Sequence, residues 1–136
     1  GAKVGMDVTI CCPPGYLPDP EITRLAEADA AATGAVIAID HEPAKAVENA
    51  DIIYTDVWAS MGQEEEHAER VKIFLPYQVN SALLDSTKVD TLVMHCLPAH
   101  RGEEITNEVI DDRRSIVFDQ AENRLHAQKA ILALVI

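Results

Sequence analysis

The chain has 136 residues, of which 48% are hydrophobic, 25% charged and 4% aromatic, a composition that predicts one globular domain, residues 1–136, with an aliphatic core. Its formal net charge of −12 would repel a phosphate backbone, and it has no basic amphipathic segment and no apolar run of about 18 residues, so we expect neither a nucleic-acid nor a membrane partner. Three cysteines, two of them adjacent, do not make a disulfide framework, and we expect a reducing, cytoplasmic compartment.

Apolar or β-branched segments alternate with helical patterns along the chain. Five segments are predicted as strands: 6–11, 35–40, 51–56, 90–96 and 115–118. Six are predicted as helices: 19–34, 42–50, 64–73, 78–84, 104–112 and 121–136. The first helix has the clearest boundaries, since Asp19 can cap it, Pro20 fits its first turn and Gly34 can end it. This alternation predicts an α/β fold of the doubly wound, Rossmann-like kind, with a parallel sheet and helices on both faces.

In such a fold, ligands bind beyond the carboxyl ends of the strands. Three segments with reactive groups are predicted to lie there: the loop that begins at Asp56, the loop "HCLPAHR", and the segment after Phe118. Their convergence predicts one site. The patterns GxGxxG, GxxxxGK[ST] and GxSxG are missing from the sequence, so dinucleotide, P-loop and α/β-hydrolase interpretations lose their main support.

Cys96 ends the fourth predicted strand beside His95, with His100 and Arg101 close behind. Neighbouring cations would lower the pKa of the thiol and favour a thiolate. Alternatively, the thiol packs as a small buried hydrophobic group. Zinc bound by His95, Cys96 and His100 is a weaker interpretation, because adjacent residues at a strand end rarely point at one ion. A thiol enzyme with Cys96 as nucleophile and His95 as base is a further alternative.

Pro98 marks the end of the same strand. A proline disfavours helical backbone at the preceding residue, here Leu97, and it allows a cis peptide bond. Such a turn would leave backbone carbonyl groups facing the crevice. An ordinary strand-ending proline is the alternative.

Asp56 also stands at a strand end, four residues before Ser60, and Met61 and Gly62 follow. A carboxylate, a hydroxyl group and exposed backbone N–H groups can together hold the ammonium and carboxylate groups of an amino acid. The alternative is a helix cap or a solvated loop.

Arg124 lies near the start of the last predicted helix. Its planar guanidinium suits a carboxylate, a phosphate or a carbamoyl oxygen. The alternative is a surface ion pair with Glu122 or Asp119.

Three segments carry a resemblance to a known family: "DVWASMGQE", "MHCLPAHRGEE" and "FDQAENRLHAQKA". In this order and spacing they resemble the ornithine-binding half of the ornithine carbamoyltransferases, and the resemblance covers essentially the whole chain. "SMG" resembles the ornithine enzymes and not their aspartate, putrescine or N-acetylornithine relatives. The resemblance implies transfer of the carbamoyl group from carbamoyl phosphate to the δ-amine of L-ornithine, giving citrulline and phosphate, without a metal or an organic cofactor.

The resemblance also implies roles for particular residues, with Cys96, Asp56 and Arg124 as the catalytic set. Cys96 would lie against the side-chain amine of ornithine, and the carbonyl groups of Cys96 and Leu97 would receive the carbamoyl NH2. The bond between Leu97 and Pro98 is expected to be cis. Arg124 would reach carbamoyl phosphate.

Asp56, Ser60 and Met61 match the family residues that hold the α-amino and α-carboxylate groups of ornithine. The δ-amine must be neutral when it attacks the carbonyl carbon. A nearby thiolate or carboxylate can therefore ease its loss of a proton.

The family has parts that this chain lacks. They are the half that binds carbamoyl phosphate and a strand that ends in an Asp-Gly-Asn-Asn turn, so we expect the sheet to lack its first strand and residues 1–5 to be the tail of a helix. We expect the chain alone to be inactive, and the parent protein to be a homotrimer or a multiple of trimers. A non-catalytic amino-acid-binding or regulatory module is the alternative.

Overall fold

The computed structural model describes residues 1–59 and 64–136, with the side chains of residues 64–66 outside the description. It divides the chain into two compact units, Gly1–Ala46 and Val47–Ile136. The strands are β1 Val8–Cys11, β2 Ile37–Asp40, β3 Ile52–Thr55 and β4 Leu92–His95. The α-helices are α1 Pro20–Thr33, α2 Pro43–Val47, α3 Glu64–Phe74, α4 Ser81–Asp85, α5 Asn107–Ile110 and α6 Val117–Val135, and short 3-10 helices cover Ala2–Val4 and Leu75–Tyr77.

The first unit contains the helix whose boundaries were clearest in the sequence. The Asp19 carboxylate accepts hydrogen bonds from the N–H groups of Glu21 and Ile22, at 2.9 and 3.0 Å, and so caps α1. Pro20 is the first residue of α1, and Gly34 ends it with a left-handed φ of 84°. All three predictions are confirmed. Strands β1 and β2 of this unit pair in parallel, from Val8 opposite Ile37 onward.

The second unit is built on the parallel pair of β3 and β4, in which Ile53 lies opposite Val93 and Thr55 opposite His95. Alternate residues of these strands point to one face, and Ile53 and Val93 are buried there. The core of the unit contains the following buried residues: Val47, Ile53, Val79, Leu84, Val93, Ile105, Val109, Ile110 and Val117.

The predicted α/β fold with parallel strands is confirmed. The two short parallel sheets fit a Rossmann-like fold that lacks strands, as expected from the sequence. Most predicted elements begin one to three residues before the observed ones, and several also end one to three residues after them. No helix in the described ranges combines the length and the apolar character needed to cross a bilayer.

The prediction of a fifth strand over 115–118 is wrong. Ser115 forms only an isolated parallel bridge with Val93, and the N–H of Ile116 donates to the Val93 carbonyl at 2.9 Å. The chain then turns into α6 at Val117, four residues earlier than predicted, and the N–H of Gln120 donates to the Ile116 carbonyl. Val117 is fully buried in the core at the start of this helix. Val117, one of the apolar residues that suggested a strand, therefore anchors the amino end of a helix.

Candidate functional site

The site lies at the carboxyl ends of β3 and β4. Asp56 directly follows β3 and Cys96 directly follows β4, and the parallel register brings these two ends side by side. The Cys96 thiol donates a hydrogen bond to Asp56 Oδ1, with the sulfur 3.1 Å from the oxygen. The same carboxylate oxygen accepts the N–H of Val57 at 2.7 Å. Two residues that lie 40 positions apart in the sequence thus form one polar pair, as predicted from the strand ends.

This environment favours the protonated form of the Cys96 thiol. Its burial raises the pKa above the usual value, and the hydrogen bond and the negative charge of Asp56 raise it further. This direction of the pKa shift argues against a Cys96 thiolate.

His95 does not serve Cys96 as a base. It is fully buried, its Nδ1 accepts the N–H of Leu97 at 2.8 Å, and its Nε2 lies 3.0 Å from Oε1 of Glu104. A neutral ring with the proton on Nε2 satisfies both contacts. With both nitrogens engaged, His95 has no free nitrogen to act as the base of a thiol enzyme. Its ligand atom lies within 4.8 Å of those of Asp56 and Cys96, but a metal ion there would have to displace one of its hydrogen bonds.

Glu104 is a site residue that the sequence reasoning missed. Its side chain is fully buried, and Oε1 accepts the N–H of His100 at 2.6 Å in addition to its contact with His95. The carboxylate therefore joins the end of β4 to the loop that follows. The only signal in the sequence was the pair Glu103–Glu104, and nothing local distinguishes the buried member from the exposed one.

The loop between these anchors has a distinct backbone. The peptide bond between Leu97 and Pro98 is cis, as predicted, and Leu97 has a positive φ of 53°. Arg101, at the end of the loop, binds the Asp111 carboxylate through two nitrogens at 2.9 and 3.0 Å. Arg101 is thus held away from Cys96 by an ion pair of its own.

An open cavity of about 370 Å³ lies between the end of β4 and the first turns of α6. It is lined by Tyr54, Cys96, Gln120, Ala121, Asn123, Arg124 and Ala127. The Tyr54 hydroxyl accepts a hydrogen bond from Gln120 Nε2 at 3.1 Å, which ties α6 to β3. Cys96 and Arg124, which are separated by 28 positions in the sequence, line the same cavity. Within the described part of the chain Arg124 forms no ion pair, and Glu122 instead pairs with His126 at 3.3 Å.

Three further residues were predicted to contact the substrates: Leu97, Ser60 and Met61. Leu97 is half-buried and directly follows Cys96. Ser60 and Met61, predicted to contact an amino-acid ligand, lie outside the described residues. Their roles stay predictions, as do the ligand contacts of the other site residues.

The chain matches the family model described as "Aspartate/ornithine carbamoyltransferase, Asp/Orn binding domain" over residues 1–135. It is 58% identical over 135 residues to the ornithine carbamoyltransferase of Thermococcus kodakarensis, covering 99% of this chain and 43% of the relative. It is 59% identical, with the same coverage, to the anabolic ornithine carbamoyltransferase of Pyrococcus furiosus. A solved structure of the Pyrococcus furiosus enzyme matches with a TM-score of 0.93, covering 98% of this chain and 43% of that one. The chain therefore spans less than half the length of these relatives.

Proposed function

Because the chain belongs to the Asp/Orn-binding domain family of the aspartate/ornithine carbamoyltransferases, we propose that it is the ornithine-binding part of an ornithine carbamoyltransferase. The whole enzyme would take L-ornithine and carbamoyl phosphate as substrates and release citrulline and phosphate. The relatives named above are ornithine carbamoyltransferases, which supports this substrate choice. The observation that carries the proposal is the pair of Cys96 and Asp56 beside a cavity that also contains Arg124.

In the proposed reaction the neutral δ-amine of ornithine attacks the carbonyl carbon of carbamoyl phosphate. A nitrogen–carbon bond forms, the carbon–oxygen bond to phosphate breaks, and the nitrogen gives up one proton. Since the Cys96 thiol stays protonated, its S–H points to Asp56 and its sulfur lone pairs remain available to accept an N–H of the amine. Asp56 would accept the proton, directly or through Cys96, and its charge would also attract the ammonium groups of ornithine.

The second substrate would bind beside Arg124. A guanidinium without an ion-pair partner among the described residues is a suitable group for an anionic phosphate or a carbamoyl oxygen. Holding carbamoyl phosphate at Arg124 and the amine at Cys96 would place the reacting atoms in one cavity. Such positioning supplies much of the rate in a two-substrate reaction.

We further propose Ser60 and Met61 as ligands of the α-carboxylate and α-amino groups, and the carbonyl groups of Cys96 and Leu97 as acceptors for the carbamoyl NH2. The whole enzyme would be a homotrimer or a multiple of trimers in a reducing, cytoplasmic compartment. The three free cysteines, Cys11, Cys12 and Cys96, are consistent with such a compartment.

The proposal is tested with a chimaera, because the chain covers only 43% of the relatives. The chain replaces the matched segment of the Pyrococcus furiosus enzyme, and citrulline formation from ornithine and carbamoyl phosphate is measured. We expect an active chimaera, in which Asp56→Ala lowers kcat by about 100-fold or more through loss of the proton acceptor. Cys96→Ser should lower kcat less, since a hydroxyl group can still bridge the amine and Asp56.

Asp51→Ala is the matched control. Asp51 directly precedes β3, whereas Asp56 directly follows it, and the exposed Asp51 side chain pairs with Lys88, at 2.7 Å, and with no other cation among the described residues. This variant should keep the activity of the chimaera. A chimaera that folds and binds ornithine but forms no citrulline would overturn the enzyme assignment and support a non-catalytic amino-acid-binding module.

A further inference from the structure

We propose that His67, His100 and Glu103 form a binding site for a divalent transition-metal ion of the zinc class, separate from the cavity at Cys96. His67 lies in the first turn of α3, and His100 and Glu103 belong to the loop that follows β4. Each residue offers one ligand atom, and the three atoms lie within 4.8 Å of one another. Two imidazole groups and one carboxylate are ligands that Zn²⁺ prefers in proteins.

The distances between the ligand atoms are close to those around a tetrahedral metal. His67 Nε2 lies 3.1 Å from Glu103 Oε2, and His100 Nδ1 lies 3.5 Å from the same oxygen. With zinc–ligand bonds of about 2.0–2.2 Å, neighbouring ligand atoms of a tetrahedron are separated by about 3.3–3.5 Å. Two edges of the tetrahedron are therefore already formed. The third edge, between the two imidazole nitrogens, is no longer than 4.8 Å.

The two rings approach each other in a way that a cation would stabilise. Their centroids are 5.9 Å apart with an angle of 34° between the planes, and both rings turn a nitrogen toward Glu103. Glu103 Oε2 is thus contacted by both imidazole rings. A metal ion between them would accept a lone pair from all three groups at once. The formal net charge of −12 favours such a cation as well.

The loop half of the site is held in place without the metal. The N–H of Glu103 donates to the His100 carbonyl at 2.9 Å, and this turn fixes the two ligands relative to each other. Gln78 Nε2 donates to the carbonyl groups of Gly102 and Glu103 at 2.9 and 2.7 Å. Ligands on a backbone that is already ordered lose little entropy when an ion binds.

The ligand from α3, His67, is held by fewer contacts than the two ligands from the loop. His67 Nδ1 is buried and has no hydrogen-bond partner in the described ranges. A metal-binding histidine usually donates its other ring N–H to an acceptor, and removal of that acceptor weakens metal binding by about 10–100-fold. We therefore infer a site of moderate affinity, occupied when the metal is supplied, which would cross-link α3 to the loop that carries Cys96 and Leu97.

Isothermal titration of the 136-residue chain with Zn²⁺ tests the proposal. We expect one equivalent to bind, and His67→Gln and Glu103→Gln each to weaken binding by at least 10-fold. His126→Gln is the matched control, because His126 also pairs with a glutamate, Glu122 at 3.3 Å, but without a third ligand in the described ranges. Cys96→Ser should bind as the unchanged chain does. Binding lost in His126→Gln or Cys96→Ser, or no binding in the unchanged chain, would overturn the proposal.

The ring signals of the five histidines in a nuclear magnetic resonance spectrum give a second readout that does not depend on substitutions. Saturating Zn²⁺ should shift the signals of His67 and His100 and leave those of His41, His95 and His126 in place. Shifts confined to other histidines would contradict the site. Both readouts are independent of carbamoyl transfer, so the metal site and the proposed function can fail separately.

Discussion

At the scale of single residues, the chemistry of the candidate site depends on which member of the Cys96–Asp56 pair holds the proton. Burial and the neighbouring carboxylate raise the pKa of the thiol, which favours a proton on sulfur. In the proposed reaction Cys96 would bridge the amine and the Asp56 carboxylate as a neutral thiol. A neutral thiol with this orientation differs from the nucleophilic thiolate of a cysteine hydrolase.

Alkylation by iodoacetamide measures this protonation state. At pH 8, Cys96 should react more slowly than a free cysteine, and Asp56→Asn should speed its reaction, because loss of the negative charge lowers the thiol pKa and increases the thiolate fraction. The rate is followed for each cysteine by mass spectrometry of peptides. Its pH profile should shift to lower pH in the variant.

Cys11 and Cys12 serve as internal controls in the same samples. Burial, together with the charge of Asp40, raises the pKa of Cys11 to about 11, and burial raises that of Cys12. Their rates should not change in Asp56→Asn. An unchanged Cys96 rate in that variant would mean that Asp56 does not set the protonation state of the thiol.

At the scale of secondary-structure elements, the buried pair of His95 and Glu104 joins β4 to the loop after it. Glu104 Oε1 accepts hydrogen bonds from the His95 ring at 3.0 Å and from the His100 N–H at 2.6 Å. The backbone between these anchors contains Cys96 and Leu97. The geometry of the proposed amine contact thus depends on a carboxylate that does not itself line the cavity.

Glu104→Ala should destabilise the second unit by about 2–4 kcal/mol, because it leaves the buried His95 ring and the partly buried His100 N–H without an acceptor. Glu104→Gln should cost less, since the amide oxygen can replace Oε1. The free energy of unfolding is measured by urea denaturation in a buffer with a chelator.

Glu103→Ala is the neighbouring control. Glu103 is partly exposed, and without metal its contacts with His67 and His100 are partly exposed polar contacts, each worth about 0–1 kcal/mol. If both alanine variants lose the same stability, the buried hydrogen bonds of Glu104 do not hold the loop.

The elements that could be predicted from the sequence are those whose signals are local. The α1 boundaries follow from Asp19 and Gly34, which act on backbone groups a few residues away. The error at 115–118 has the opposite cause, since burial of Val117 against the core decides where α6 begins. Glu104 was missed for the same reason: its partners are His95 and a backbone group of the folded loop. Cys96 and Asp56 were found because both directly follow predicted strands. In a parallel sheet the carboxyl ends of the strands form the ligand site, so the local sequence was enough to place both residues there.

At the scale of the whole molecule, large apolar side chains remain exposed on several elements. In β3 and β4 they include Ile52 at 42% and Leu92 at 36% exposure, on the strand faces opposite the core. In α6, Phe118, Leu125 and Leu132 are 63%, 59% and 54% exposed, and their spacing of seven residues places them on one side of the helix. Exposed apolar stripes of this kind are typical of surfaces that other protein covers.

The isolated chain should therefore self-associate through the α6 stripe. Sedimentation velocity over a range of concentrations should show a weight-average mass that rises above 14.8 kDa. The double variant Leu125→Lys with Leu132→Lys should remain closer to a monomer, because it places two charges on the apolar side. The control Asn123→Lys with Ala130→Lys adds the same charge to the other side of α6 and should still associate. If the two double variants have the same weight-average mass at each concentration, net charge and not the apolar stripe governs association.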